Sequence, residues 1–134
     1  MMLHKISLNS IKLSLEEFPV LSENTFFIEC LEQMTQFKIG TACIINKENQ
    51  LIGVITDGDI RRNLISSQKM FSNLAVEYCH KFSNKNTIVL KNNDNLNKAI
   101  DLVIKNKIWD IPIVDDDNKL LGLLHLNNLL KAIF

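Results

Sequence analysis

Apolar positions along the chain recur in two rhythms, and the rhythms appear in the same order twice. Between Thr25 and Lys38, Phe27, Cys30, Leu31 and Met34 fall three or four residues apart, the spacing of one helical face. Two nearly continuous apolar runs follow, Thr41–Asn46 and Leu51–Thr56, separated by the polar stretch Lys47-Glu48-Asn49-Gln50. Short runs of this kind around a turn predict a strand hairpin covered on both faces. A helix is expected next, from Gly58 to Ser66. The order then repeats. Leu96, Ala99, Ile100, Val103 and Ile104 form a helical stripe with Asp94 as N-cap, strands are expected at Asp110–Asp115 and Leu120–His125 around a polar turn, and a last helix at Asn127–Phe134.

The repetition is literal. A shift of 69 residues lays Val20–Ile65 over Val89–Phe134 without a gap, and nine pairs are identical: Val20/Val89, Leu21/Leu90, Asn24/Asn93, Lys38/Lys107, Ile39/Ile108, Ile44/Ile113, Asn49/Asn118, Leu51/Leu120 and Gly53/Gly122. A fixed period of this kind marks two copies of one supersecondary unit, neither expected to close a core alone. The expected fold is therefore α+β, two helix–strand–strand–helix units with small mixed sheets. Residues 20–66 form the first unit and residues 88–134 the second. Residues 67–87 are a linker with a short helix at Leu74–His80, and residues 1–19 an amphipathic lead-in without a readable role.

Composition narrows the function classes. The 134 residues are 46% hydrophobic and 22% charged with zero net charge, an ordinary globular balance that offers no global field to nucleic acid or an anionic membrane. The longest apolar runs fall well short of the roughly 20 residues that span a bilayer, and Met1-Met2-Leu3-His4-Lys5 lacks the apolar core of a secretory signal. Cys30, Cys43 and Cys79 are scattered and odd in number, so small buried thiols in a reducing cytoplasm are expected. His4, His80 and His125 lack metal spacing. Asp57 and Asp59 are two apart without the further acids a metal site needs. Asp115-Asp-Asp-Asn-Lys119 begins like a calcium loop but has Leu120 and Leu126 where glycine and glutamate belong, so it reads as a hairpin turn. No metal, no required cofactor and no catalytic residues are expected.

The first unit does carry binding chemistry. Strand Leu51–Thr56 runs straight into a helix whose start has unpaired N–H groups suited to an anion. Thr56 offers a hydroxyl, Gly58 leaves the approach open, and the Asp59 carboxylate can accept two hydrogen bonds, as a ribose diol requires. Asp57 adjoins them. Arg61 and Arg62 are the only arginines in the chain, and a guanidinium grips phosphate bidentately, although pairing with nearby acids is the competing use. Gly40, Thr41 and Ala42 are small enough to line an opposite wall. The second unit departs from this pattern: His125 and Asn128 replace Thr56 and Asp59, Lys131 supplies one cation, and Trp109 stands where Gly40 does. Trp109 either stacks on a base or fills a core wall or interface, and Ile111 and Pro112 flank it.

Taken together, Leu51-Ile-Gly-Val-Ile-Thr-Asp-Gly-Asp-Ile-Arg-Arg62, Ile111-Pro-Ile-Val-Asp115 and Leu120-Leu-Gly-Leu-Leu-His125 resemble the tandem CBS (cystathionine-beta-synthase) domain pair, or Bateman module, over residues 18 to 134. The resemblance implies two units packed by pseudo-twofold symmetry, a ligand cleft at their junction and a homodimer formed through helices. It carries nucleotide contacts onto Thr56 and Asp59. A narrower resemblance, through Thr56–Arg62 and Leu121–Ala132, is to the C-terminal CBS pair of arabinose-5-phosphate isomerases of lipopolysaccharide Kdo synthesis; some sugar-nucleotide nucleotidyltransferases carry a similar stretch. It implies a regulatory module, excised or free-standing. Its ligand would be an adenine nucleotide, a CMP-sugar or a related anion. Its partner would be a catalytic sugar-isomerase domain in cis or in trans. A purely structural dimerisation module is the other reading.

Overall fold

Among the described residues, four other than glycine have positive φ, Lys38, Asn49, Lys107 and Asn118, and they are two of the identical repeat pairs. Lys38 and Lys107 are left-handed C-caps that end the first long helix of each repeat. Asn49 and Asn118 take the left-handed position of each hairpin turn, which an asparagine tolerates better than most side chains. Asn46 Oδ1 accepts from the Glu48 and Gln50 N–H groups, and Asp115 Oδ1 accepts from Asp117 and Lys119 in the same way. The acidic run at Asp115 is thus a hairpin turn whose first carboxylate is folded onto its own backbone.

The computed structural model describes residues 6–66, 73–78, 80–81 and 88–134. The expectations placed on His4, Cys79 and most of the linker lie outside these residues. In chain order the elements are α1 (Leu8–Ile11), β1 (Val20–Ser22), α2 (Phe27–Phe37), β2 (Thr41–Ile45), β3 (Leu51–Thr56), α3 (Asp57–Ser66), a 3-10 turn (Ala75–Tyr78), β4 (His80–Lys81), β5 (Leu90–Lys91), α4 (Leu96–Asn106), β6 (Asp110–Val114), β7 (Leu120–His125) and α5 (Leu126–Ile133). The expected helix–strand–strand–helix order occurs twice, in an α+β fold. One sheet has the order β1-β2-β3-β4 and the other β5-β6-β7, each with one parallel and otherwise antiparallel pairings. The short parallel strands β1 and β5 were not expected, although the identical pairs Val20/Val89 and Leu21/Leu90 lie in or beside them.

Several local expectations are corrected. The N-cap of α4 is Asn95, whose side chain accepts from the Lys98 N–H at 2.9 Å, while Asp94 accepts from the Lys91 N–H and pairs with the Lys98 ammonium. Ile104, read as part of the buried stripe, is 70% exposed. The linker helix is a single 3-10 turn followed by strand β4. Cys30 and Cys43 are buried, and burial pushes the Cys30 thiol up to about 12.

Each compact unit borrows the segment that precedes the other repeat. One unit comprises residues 16–87, the other residues 6–15 with 88–134. In the first, Ala75 is fully buried in a core with Leu21, Cys30, Met34, Ala42, Ile44 and Ile55, and β4 pairs with β3 at Gly53 and Val54. In the second, Leu8 is fully buried with Leu90, Leu96, Ala99, Ile111, Ile113, Leu124 and Leu129, and Leu13 bridges Leu123 of β7. Leu8–Ile11 and Ala75–Tyr78 are therefore equivalent, as are Leu13 and His80 in their strand pairing. The lead-in is part of the second unit's core.

The crossing explains a repeated glycine. A Cβ on Gly122 would lie 2.5 Å from the Leu13 carbonyl oxygen and 2.8 Å from Lys12 Cδ, so only glycine lets the lead-in pass over β7 at this distance. Gly53 is the matching residue, paired with Lys81. Two substitutions test the arrangement. Leu8→Ala empties a fully buried site and should cost about 2–5 kcal/mol. Gly122→Ala should also destabilise, by forcing the lead-in away. Urea unfolding followed by amide exchange should place both losses in residues 88–134 before residues 20–66.

Candidate functional site

Strand β3 passes into α3 without a loop, so the first turn of α3 needs its N–H groups satisfied locally. The Thr56 hydroxyl accepts from the Asp59 N–H at 3.3 Å, and the Asp59 carboxylate reaches back to accept from the Thr56 N–H at 3.0 Å. This reciprocal pair is a capping box. The Thr56 hydroxyl also donates to Asp59 Oδ2 at 3.1 Å. Asp59 is 4% exposed, a buried carboxylate at the mouth of a strand. Such a charge needs a partner, and Arg62 supplies it: Nη2 donates to Asp59 Oδ1 at 2.7 Å while the arginine side chain stays 59% exposed. Asn63 Nδ2 donates to the Asp59 carbonyl and braces the same turn.

The wall facing this turn is β2. The Asp57 N–H donates to the Gly40 carbonyl at 3.1 Å, and Thr41 lies opposite Thr56 in the β2–β3 register. A Cβ on Gly40 would run into the Asp57 carboxylate, so the glycine leaves room for that side chain. Thr41 is buried and Ala42 fully so, within the core of the unit. The structure thus brings Gly40, Thr41, Thr56, Asp57, Asp59 and Arg62 to one strand–helix junction. Arg61 is exposed on the same helix, one residue and about 100° away from Arg62. The N–H groups of Asp57 and Asp59 are already bonded, and both acids sit in the first turn of α3, where they complement the helix dipole themselves.

The equivalent junction of the second unit is built differently. The backbone bond is kept: the Leu126 N–H donates to the Trp109 carbonyl at 2.7 Å. His125 is the N-cap of α5 but makes no side-chain cap bond. Its Nδ1 instead meets Asp110 Oδ1 at 2.5 Å, across the strand pair that holds Thr41 and Thr56 in the first unit. Asn128, in the place of Asp59, donates to the Ile11 carbonyl at 3.0 Å and so holds the lead-in. Trp109 is 69% exposed and fills no core wall. Ile111 is fully buried in the second core, Pro112 is buried, and Lys131 is exposed. Sequence reasoning missed Asp110 and Asn63. Asp110 was legible as the partner of His125 once the hairpin register was fixed.

The sequence model of the CBS domain matches residues 12–66 and again residues 79–134. Among curated proteins, a Helicobacter pylori protein of uncharacterized function is 33% identical over 116 residues, covering 84% of this chain and 33% of its own length. A probable arabinose 5-phosphate isomerase of Haemophilus influenzae is 31% identical over 110 residues, covering 82% of this chain and 32% of its own length. The chain spans about a third of the length of these relatives. Among solved structures, CBSX2 in complex with AMP superposes with a TM-score of 0.79 at 23% identity over 95% of both chains. The CBS domain pair of protein MJ0100, in complex with 5-methylthioadenosine and S-adenosyl-L-methionine, superposes with a TM-score of 0.77 at 17% identity, covering 96% of this chain and 95% of that one.

The box has a measurable structural share. Thr56→Ala should cost about 1 kcal/mol in denaturant unfolding, the usual loss for an N-cap hydroxyl. Asp59→Ala should cost more, because it also strips the Thr56 N–H and Arg62 of their acceptor. Asp59→Asn keeps an acceptor for Thr56 and should fall between wild type and Asp59→Ala.

Proposed function

The chain belongs to the CBS domain family, as a tandem pair, and from that premise we propose that it is a ligand-sensing regulatory module without catalysis of its own. The ligand is a nucleotide, sugar nucleotide or related anion, bound at the junction of β3 and α3. The single observation that carries this reading is the buried Asp59 carboxylate between Thr56 and Arg62. It supports the reading because a carboxylate that suits a diol and a guanidinium that suits a phosphate lie within one turn of helix. Solved CBS pairs of the same fold hold AMP, or 5-methylthioadenosine with S-adenosyl-L-methionine, which supports an adenine nucleotide; a CMP-sugar offers the same diol and phosphate. In this proposal the first repeat is the principal site. The second, with Asn128 committed to the lead-in, takes no diol through that residue.

Regulation follows if the ligand favours one arrangement of the pair and that preference reaches an enzyme attached or associated. The Haemophilus relative supports an arabinose-5-phosphate isomerase as that enzyme; a sugar-nucleotide nucleotidyltransferase is the alternative. A structural dimerisation module is favoured by a different observation, the exposed Leu64 and Ile65 on α3 and Leu130 and Phe134 at the C-terminal end of the chain. Helices with such ends suit homodimer formation.

Thermal unfolding against AMP, ATP, CMP, CMP-Kdo and arabinose 5-phosphate separates these readings. A ligand at a hundred times its Kd stabilises by about 2.7 kcal/mol, on the order of 10 °C for a domain of this size. At least one compound should raise Tm by this order, and Asp59→Asn should abolish the rise while remaining folded. No shift across the panel, with a dimer that survives Asp59→Asn in sedimentation, would leave the structural reading in its place.

A further inference from the structure

The Arg62–Asp59 contact sets a condition on what the junction can bind. Asp59 Oδ2 is occupied by the Thr56 N–H and O–H, and Oδ1 is the atom that Arg62 holds at 2.7 Å. A diol reaching the carboxylate is therefore left with Oδ1, where it meets the guanidinium already bonded there. The arginine lies close over the start of α3: a Cβ on Gly58 would fall 3.1 Å from Arg62 Nη1. Its side chain is 59% exposed whereas that of Asp59 is 6% exposed, so the guanidinium is the member of the pair that can move.

We infer that Arg62 is a specificity-determining residue that makes the site select ribonucleoside phosphates over ribonucleosides. A neutral nucleoside that takes Oδ1 from Arg62 breaks a charge-assisted bond and returns nothing to the guanidinium. A nucleoside phosphate takes the same atom and offers phosphate oxygens to the released arginine, so one ion pair replaces another. Arg62 occupies the diol acceptor when the site is empty and becomes the phosphate ligand when it is full. The selectivity then comes from a penalty on the wrong ligand as well as a contact to the right one. The inference rests on the ligand-sensing reading above and narrows its ligand class. The second unit shows the contrast: Lys131 matches Arg62, but the carboxylate it would guard is replaced by Asn128.

Calorimetric titration of matched pairs, adenosine with AMP, cytidine with CMP and guanosine with GMP, against wild type, Arg62→Gln, Arg62→Lys and Arg61→Gln tests it. In wild type the phosphate-bearing member of the bound pair should be at least about tenfold tighter, the worth of one charged hydrogen bond. In Arg62→Gln the nucleotide should weaken while the nucleoside tightens relative to wild type, and the preference should collapse. Arg62→Lys should restore part of it, and Arg61→Gln should leave it. A pure phosphate contact would weaken the nucleotide and leave the nucleoside unchanged; that result overturns the competition. Nucleotide binding unaltered by Arg62→Gln also overturns it, while the ligand-sensing reading survives. If no nucleoside or nucleotide binds any of the four proteins, this inference falls, and the ligand-sensing reading is decided separately by CMP-Kdo and arabinose 5-phosphate in the thermal panel.

Discussion

A carboxylate removed from water at the end of a strand has to be neutralised within its own neighbourhood, and the organisation of the first junction follows from that need. Asp59 is nearly inaccessible, and each group around it answers its charge: the Thr56 N–H and hydroxyl on one oxygen, Arg62 on the other. The same contacts start a helix. Because the box satisfies backbone donors of α3 while fixing the carboxylate, folding and the proposed recognition draw on one set of atoms. The helix start has no spare donors at Asp57 and Asp59, so in the proposed function the cation for an anionic ligand is the arginine side chain. The bare dipole does not supply it.

The second constraint is topological. Neither repeat buries its sheet with its own residues. The segment before the first repeat lays Leu8 into the core of the second, and the segment before the second lays Ala75 into the core of the first. The unit duplicated in sequence is therefore not the unit that packs. Gly122 marks where the lead-in crosses an otherwise apolar strand at a distance that excludes a Cβ, and Gly53 is its counterpart, paired with Lys81 of β4. The exchange also ties the lead-in to the ligand question, because Asn128 sits at the position of Asp59 and spends its amide on Ile11.

Much of this was legible in the chain. The 69-residue shift exposed the duplication, and the strands β3 and β7 were placed to the residue because apolar runs bounded by turn residues leave little freedom. Lys38/Lys107 and Asn49/Asn118 were visible as identities but not as left-handed residues, since nothing in a lysine announces a C-cap. The strands β1 and β5 were too short to show a period. The exchange of pre-segments was invisible for a deeper reason: an amphipathic lead-in shows that it has an apolar face to bury, and only three-dimensional packing says in whose core. At the candidate site, the residue types and their one-turn spacing were readable. That Thr56 and Asp59 cap the helix was not, because capping and ligand binding ask for the same residue types.

The divergence of the two junctions can be reduced to where each unit keeps its buried carboxylate. In the first it is on the helix, at Asp59, with a permanent cation three residues on. In the second it is on the strand, at Asp110, and its partner is His125 across the hairpin. Moving the acid from helix to strand frees the helix position for Asn128, which can donate as Asp59 cannot, and the donor is used to tie down the lead-in. The exchange of one carboxylate for one amide thus turns a junction suited to a ligand's hydroxyls into one that clamps the chain's own backbone. Two copies of one sequence unit can hold these different duties because the helix–strand–strand–helix frame is shared, while positions at the strand exit differ in kind, among them Gly40 against Trp109, Thr41 against Asp110, Thr56 against His125, Asp57 against Leu126 and Asp59 against Asn128.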